Sequence, residues 1–185
     1  MTASRDRMTM SAFLAWEEQQ EPRFEYDGFG PVPMPDSTVL HGRLSVRLVA
    51  ALGGRLRGTN FFAAGVSMKV LAAGHIRYPD AVVVRLPVAP KTTVLTQPLV
   101  LFEIAGPETS TTDHTVKNRE YRDTPSVARY VILERDIQGA TVWCRDGDRW
   151  IGRIVTGDAV LALPEIGIDI PLMELYESLH TGFTD

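Results

Sequence analysis

Glu103 stands inside the run Pro98-Leu99-Val100-Leu101-Phe102-Glu103-Ile104-Ala105-Gly106, an apolar stretch with the composition of a central strand. An unpaired carboxylate in such surroundings costs several kcal/mol or avoids the cost by taking up a proton, so it calls for a cation, a bound ion or a water-filled cleft. Strand alternation sets Glu103 on the side of Leu101 and Ala105, with Phe102 and Ile104 on the other. A structural ion pair, or a strand end that emerges at the surface, accounts for this residue equally well. Asp80 has the same character: Tyr78-Pro79-Asp80 leads directly into Ala81-Val82-Val83-Val84 and places an acid at the mouth of a second buried strand. Pro-Asp taken singly reads as a turn. Together, two carboxylates at neighbouring apolar strands are hard oxygen donors of the kind that suits Mg²⁺ or Mn²⁺. Further along, Asp113, Lys117 and Tyr121 recur at four-residue spacing and share one helical face. In isolation that is a surface Asp–Lys pair worth a few tenths of a kcal/mol. If the intervening loop returns the helix over the end of the Glu103 strand, the Lys117 ammonium points at a phosphate or a metal-bound water.

The elements that must position these side chains follow from periodicity. Residues 11–20 carry Phe13, Leu14 and Trp16 on a polar background before Pro22, which predicts a short helix. Residues 24–35 mix aromatics with Gly28, Gly30, Pro31, Pro33 and Pro35, so an extended edge ribbon is expected. Leu40, Leu44, Leu48, Leu52 and Leu56 line one face of a helix that Asp36 or Ser37 would cap and that Gly53 and Gly54 would end or weaken. Three strand signals come next, over 61–74, 76–86 and 95–106, each bounded by Gly or Pro. A helix over 112–123, stopped by Pro125, leads to a buried strand over 127–136. A hairpin turning at Asp146-Gly147 and an amphipathic helix over 171–180 close the chain. The order predicts an α/β (mixed α+β) fold in which a central mixed β-sheet is flanked by helices, built as one domain over 1–185.

With 185 residues, one domain with a real core fits and two full ones do not. The hydrophobic share of 44% and charged share of 23% exclude a disordered tail and a membrane span. The N-terminal MTASRDRMTM lacks an apolar signal core and no stretch approaches the roughly 20 apolar residues of a membrane helix, so a cytoplasmic protein without membrane contact is expected. Cys144 is the sole cysteine, which rules out an internal disulfide and a thiolate metal site and makes it a packing residue. A net charge of −4 argues against strong non-specific duplex binding, so contact with nucleic acid must be local. Arg43, Arg47, Arg55 and Arg57 read first as a solvated helix face and second as a phosphate contact. His41 and His75, without spaced partners, read as polar residues, not as ligands. Trp143 and Trp150 are expected to pack across the C-terminal hairpin.

Taken together, FLAWEEQQEPRFEYDG near the start, Tyr78-Pro79-Asp80, Glu103-Ile104-Ala105-Gly106-Pro107 and Asp113-x-x-x-Lys117-x-x-x-Tyr121 resemble the Uma2-type (DUF820) endonuclease family, a branch of the PD-(D/E)XK nuclease superfamily. The resemblance covers almost the whole chain. It implies a restriction-endonuclease-like core with Asp80 and Glu103 as metal-binding acids. It also implies that Lys117 is the superfamily lysine moved onto the helix, since Ala105 stands where the commoner pattern has lysine. Glu25 corresponds to an N-terminal glutamate that joins such sites. The implied activity is Mg²⁺- or Mn²⁺-dependent hydrolysis of phosphodiester bonds in nucleic acid, DNA foremost, by a homodimer. Two departures stand out: Gly106 replaces the family's serine before the proline, and Glu25-Tyr26-Asp27-Gly28 shortens its Glu-x-x-Asp-Gly. The competing readings are a catalytically silent scaffold of the same fold and a two-carboxylate glycosidase, for which no aromatic sugar platform is visible.

Overall fold

In the computed structural model, which describes residues 7–65, 67–106, 111–179 and 181–182, the first helix, α1 (Met10–Glu17), begins where the Thr9 hydroxyl accepts the Ala12 N–H. Its Phe13 is fully buried against Tyr26 and Ile76. β1 (Phe24–Tyr26) and β2 (Pro31–Pro33) form the expected ribbon, pairing antiparallel. α2 (Val39–Leu56) is capped by Thr38, one residue beyond the expected Ser37, through a bond from the His41 N–H. It runs on past Gly53 and Gly54. Each glycine costs about 1 kcal/mol in a helix, but Leu44, Leu48, Leu52 and Leu56 are all buried, and burying a leucine is worth roughly 1.5–3 kcal/mol.

The remaining elements are β3 (Phe61–Gly65), β4 (Lys69–Ala72), β5 (His75–Arg77), β6 (Ala81–Arg85), β7 (Val94–Leu95) and β8 (Pro98–Ala105). A π-helical stretch, Thr112–Lys117, then runs into α3 (Asn118–Arg122), followed by β9 (Arg129–Glu134), β10 (Gly139–Asp146), β11 (Arg149–Thr156), β12 (Val160–Leu163), β13 (Ile168–Pro171) and α4 (Leu172–Tyr176). A six-stranded sheet has the order β11-β10-β9-β8-β6-β3, antiparallel except for the parallel β8–β9 pair. That parallel pair requires a crossover, and the crossover carries Lys117 and α3. A second sheet has the order β2-β1-β5-β4-β7, and β12 pairs with β13. This is the mixed α/β architecture read from the chain.

All three strands expected over 61–74, 76–86 and 95–106 are divided, the last one after Leu95, which pairs in β7 of the second sheet before β8 begins at Pro98. The 61–74 stretch divides into β3 and β4, and 76–86 into β5 and β6, the halves of each lying in different sheets. At the first break α2 comes so close that a Cβ on Gly65 would lie 3.2 Å from Val49 Cγ2. At the second, Pro79 has no N–H to give a ladder, and Asp80 turns its carboxylate to the Ile104 N–H. The chain thereby leaves one sheet for the other where the candidate site lies.

α2 covers one face of the six-stranded sheet, its leucines meeting Val83, Val100, Phe102, Ile104, Val131 and Leu133. Tyr121 packs on the opposite face with Leu101, Ala105, Tyr130 and Ile132. Leu101 and Ala105 thus fall on one side of β8 and Phe102 and Ile104 on the other, as alternation requires. The Trp143 ring lies over Gly152 in the β10–β11 hairpin, which turns at Gly147 (φ 58°). The C-terminal helix is shorter than expected, and Leu172, Leu175, Tyr176 and Leu179 close the α2 side of the core. Among the described residues no helix is long and apolar enough to cross a membrane.

Candidate active site

Glu103, near the end of β8, is only 3% exposed. Its Oε1 accepts from Lys117 Nζ at 3.0 Å and from the Tyr121 hydroxyl at 2.7 Å, so the residues one helical turn apart converge on one carboxylate. Burial, followed by the neighbouring Glu103, Tyr130 and Glu25, pushes the Tyr121 phenol well above its usual range and keeps it a donor. Lys117 also stands 3.5 Å from Glu25 Oε1, which places its ammonium between two acids. Pro107 and the rest of 107–110, the side chain of Asp113 and residue 180 of the expected last helix lie outside the described residues.

Asp80 sits beside this pair. Its Oδ2 accepts the Ile104 N–H at 2.7 Å, so the acid at the mouth of β6 is tied to the residue that follows Glu103. Its Oδ1 lies 3.0 Å from His41 Nε2, and His41 Nδ1 is 2.9 Å from the Ser37 hydroxyl. His41, read from the sequence as an ordinary polar residue, therefore belongs to the site. Its only signal was a place in the first turn of α2, and nothing local named its partner.

Glu25 is held in turn by Arg77, at 2.8 Å, and by the Tyr78 N–H, at 3.2 Å. The same guanidinium grips Glu120 through two bonds of 2.6 Å. Burial alone would lower the Arg77 pKa, but Glu120 and Glu25 hold it above its usual value, so it stays a cation. Tyr78 donates to Glu17 at 2.6 Å, and Lys69 meets the same Glu17 at 2.7 Å. Burial, then Glu17, raises the Tyr78 pKa above the usual range. Arg77 and Glu120 escaped the sequence reading as well, although an arginine directly before Tyr78-Pro79-Asp80 and a glutamate three residues after Lys117 were both in plain view. His75 lies at the margin, 3.7 Å from Glu120 and with Nδ1 3.2 Å from the Ala72 carbonyl.

The arginines of α2 do something other than face solvent. Arg43 donates to the Thr181 and Ser178 carbonyls, Arg47 to those of Leu175 and Glu177, and Arg55 to the Asp169 carbonyl and both Glu174 oxygens. They staple the C-terminal segment to α2. Arg57 alone of the four is exposed beyond the helix end.

The donor set suits a hard divalent cation: two buried carboxylates on adjoining strands, with oxygens that are the usual ligands of Mg²⁺ and Mn²⁺. Among the described residues no group of three or more His, Cys, Asp and Glu side chains is placed to hold a metal ion, so an ion here would have these two carboxylates at most and would take the rest of its shell from water and substrate oxygens.

Fold and site together define a chain of the nuclease fold. Residues 10–172 match the model of the Uma2 family, described as "Putative restriction endonuclease", and the protein belongs to that family. A crystal structure described as "a putative nuclease belonging to DUF820", from Anabaena variabilis ATCC 29413, superposes with a TM-score of 0.79 over 93% of this chain and 99% of that one, at 17% identity. In sequence, the uncharacterized protein slr1290 of Synechocystis sp. is 25% identical over 178 residues, 94% of this chain and 93% of its own length.

Proposed function

We propose that the protein is a Mg²⁺- or Mn²⁺-dependent endonuclease that hydrolyses phosphodiester bonds of nucleic acid, with DNA as substrate. One observation carries this reading: the end of β8 gathers Glu103, Lys117 at 3.0 Å from it, and Asp80 tied to the adjoining Ile104 N–H at 2.7 Å. The family's description and that of the structural neighbour point the same way.

Asp80 and Glu103 are the residues that would hold the ion, which when bound lowers the pKa of a water and polarises the scissile phosphate. Lys117 orients the attacking water or opposes the negative charge that grows on the phosphoryl oxygens, a role that needs little movement from a side chain already held on two sides. Tyr121 keeps Glu103 aimed by donating to it. Glu25 steadies Lys117 from the other side and assists proton transfer. With a net charge of −4, the chain engages its substrate locally, not through a broad basic face. The same reading makes the enzyme cytoplasmic, in keeping with its single cysteine, and a homodimer able to address two strands.

A catalytically silent scaffold is the second reading. What favours it is that both Asp80 oxygens and Glu103 Oε1 are engaged by protein groups, so the acids serve the fold without an ion.

The test is cleavage of supercoiled plasmid, linear duplex, single-stranded DNA and RNA by the wild type and by Asp80→Asn, Glu103→Gln and Lys117→Met, each with Mg²⁺, Mn²⁺ or chelator. Metal-dependent cutting that each variant slows by about 100-fold or more supports the reading. Cutting by all variants at the wild-type rate overturns it, and no cutting of any substrate favours the scaffold.

A further inference from the structure

We infer that the open face of the β10–β11 hairpin is a platform on which a single-stranded segment of nucleic acid lies while its scissile phosphate reaches Glu103 and Lys117. The inference rests on the nuclease reading above and adds to it a substrate class and the surface that holds it. Strand register draws the path. Glu103 pairs with Ile132, Ile132 with Thr141 and Thr141 with Ile154, so one row of residues crosses β8, β9, β10 and β11 on a single face of the sheet. It is the face on which Tyr121 packs. The row begins at a buried acid and ends at an isoleucine that is 80% exposed. Three strand steps of about 4.8 Å make a span of roughly 14 Å, about four nucleotides at the 3.4 Å spacing of a stacked strand.

The neighbouring row on that face, Tyr130, Trp143 and Gly152, supplies a flat surface. Because Gly152 has no side chain, the Trp143 ring lies down over the edge strand. Trp150 stands on the same face, opposite Arg145. Arg122, next to Tyr121 on α3, lies over both indoles, 4.8 Å from the centre of Trp143 and 5.9 Å from that of Trp150, and Arg145 lies 4.7 Å over Trp150. Both tryptophans and both arginines are half-buried, so the stack keeps a solvent side. Bases splayed from a single strand stack on indole rings and on guanidinium planes alike, with little regard to sequence.

Charge selects the occupant. Between 141 and 154 the residues that β10 and β11 turn to this face are Thr141, Trp143, Arg145, Trp150, Gly152 and Ile154, with no acid among them, in a chain whose net charge is −4. Arg145 is fixed by its bonds to the Val127, Arg122 and Thr124 carbonyls, and Arg122 is held to Asn118 Oδ1 at 3.3 Å. These cations stand beside the row that leads to Glu103, where a phosphate backbone would pass. A duplex keeps its bases stacked inside and offers such a surface no free base.

The experiment uses the full chain with a short oligothymidylate and a duplex of the same length, in chelator so that neither is cut, followed by fluorescence anisotropy of the labelled strand and by tryptophan quenching with the unlabelled one. Trp150→Leu removes a stacking surface, and Ile154→Glu puts an acid at the exposed end of the row. Met173→Glu makes the same charge change at an exposed position of α4, on the α2 side of the sheet. Thermal melting checks each fold, and Ile154→Glu keeps the test open should Trp150→Leu not fold. The expected result is that the single strand binds more tightly than the duplex and quenches tryptophan fluorescence. Trp150→Leu weakens it about 5–150-fold, the range of one lost base stack. Ile154→Glu weakens it several-fold, and Met173→Glu keeps the wild-type value. Single-strand binding that neither of the first two substitutions weakens, or that Met173→Glu weakens as much, overturns the platform and leaves the nuclease reading standing. So does an Ile154→Glu protein that loses a dimer but keeps its affinity for the strand, since that patch would then face a second copy. No binding of the single strand also overturns the platform, and if metal-dependent cleavage is absent as well, the nuclease reading falls with it.

Discussion

The Tyr121 hydroxyl donates to Glu103 Oε1 at 2.7 Å inside a fully buried site, and it shares that oxygen with Lys117. In the folded protein the phenol keeps its proton where the unfolded chain, with an ordinary tyrosine pKa of about 10, loses it. Stability from this group is therefore complete below about pH 10 and declines as the pH rises further. Burial gives Tyr78 and Tyr176 the same sign. Urea unfolding at pH 7, 9 and 10.5 is expected to show the decline in the wild type and a shallower one in Tyr121→Phe. That variant is also expected to be less stable at pH 7, by roughly 1.5–3 kcal/mol for a lost bond to a charged acceptor. An equally steep alkaline decline in the variant would show that Tyr121 is not its source.

Arg77 is buried and spans Glu25 and Glu120, two acids that are themselves buried. Lysine offers a single point of charge and cannot repeat the two-bond grip on Glu120. Arg77→Met is expected to lose roughly 3–5 kcal/mol because it removes the cation between two buried acids, and Arg77→Lys to lose less, since it keeps the charge but not the three bonds. Denaturant midpoints within error of the wild type for both variants would refute the structural role.

Gly152 faces the Trp143 ring so closely that a Cβ there would lie 2.9 Å from it, and Arg122 stacks on the same ring at 4.8 Å. In most strands alanine is the better residue. Here Gly152→Ala is expected to cost roughly 1–3 kcal/mol as an overpacked contact, read as a lowered melting temperature. A gain in stability would mean that the ring moves aside freely.

Much of this was legible in the chain because it depends on local pattern. The leucine spacing of α2, the side of β8 on which Glu103 falls, and the turn that brings Lys117 and Tyr121 onto one face are all matters of period. Glu25 was legible only through family likeness; its partner Arg77 lies 52 residues away. The division of 61–74 and 76–86 between two sheets was hidden because an apolar run announces a strand without saying which neighbours it joins. The Arg–carbonyl staples were hidden for a related reason. Their acceptors are backbone oxygens of the C-terminal segment, which every residue possesses and no sequence pattern marks.

Those staples carry their own prediction. Arg47→Ala removes charged bonds to the Leu175 and Glu177 carbonyls and is expected to destabilise the protein by roughly 1.5–3 kcal/mol. It should leave unchanged the slope of nucleic-acid affinity against salt concentration, which counts cations placed on phosphates. A shallower slope with unaltered stability would return Arg47 to the substrate interface.

Calorimetric titration of Mn²⁺ into the wild type, Asp80→Asn and Glu103→Gln tests the central claim most directly, since it probes the site without requiring the right substrate. The account predicts saturable binding in the wild type that both substitutions abolish. No binding, or binding that neither substitution alters, would contradict it.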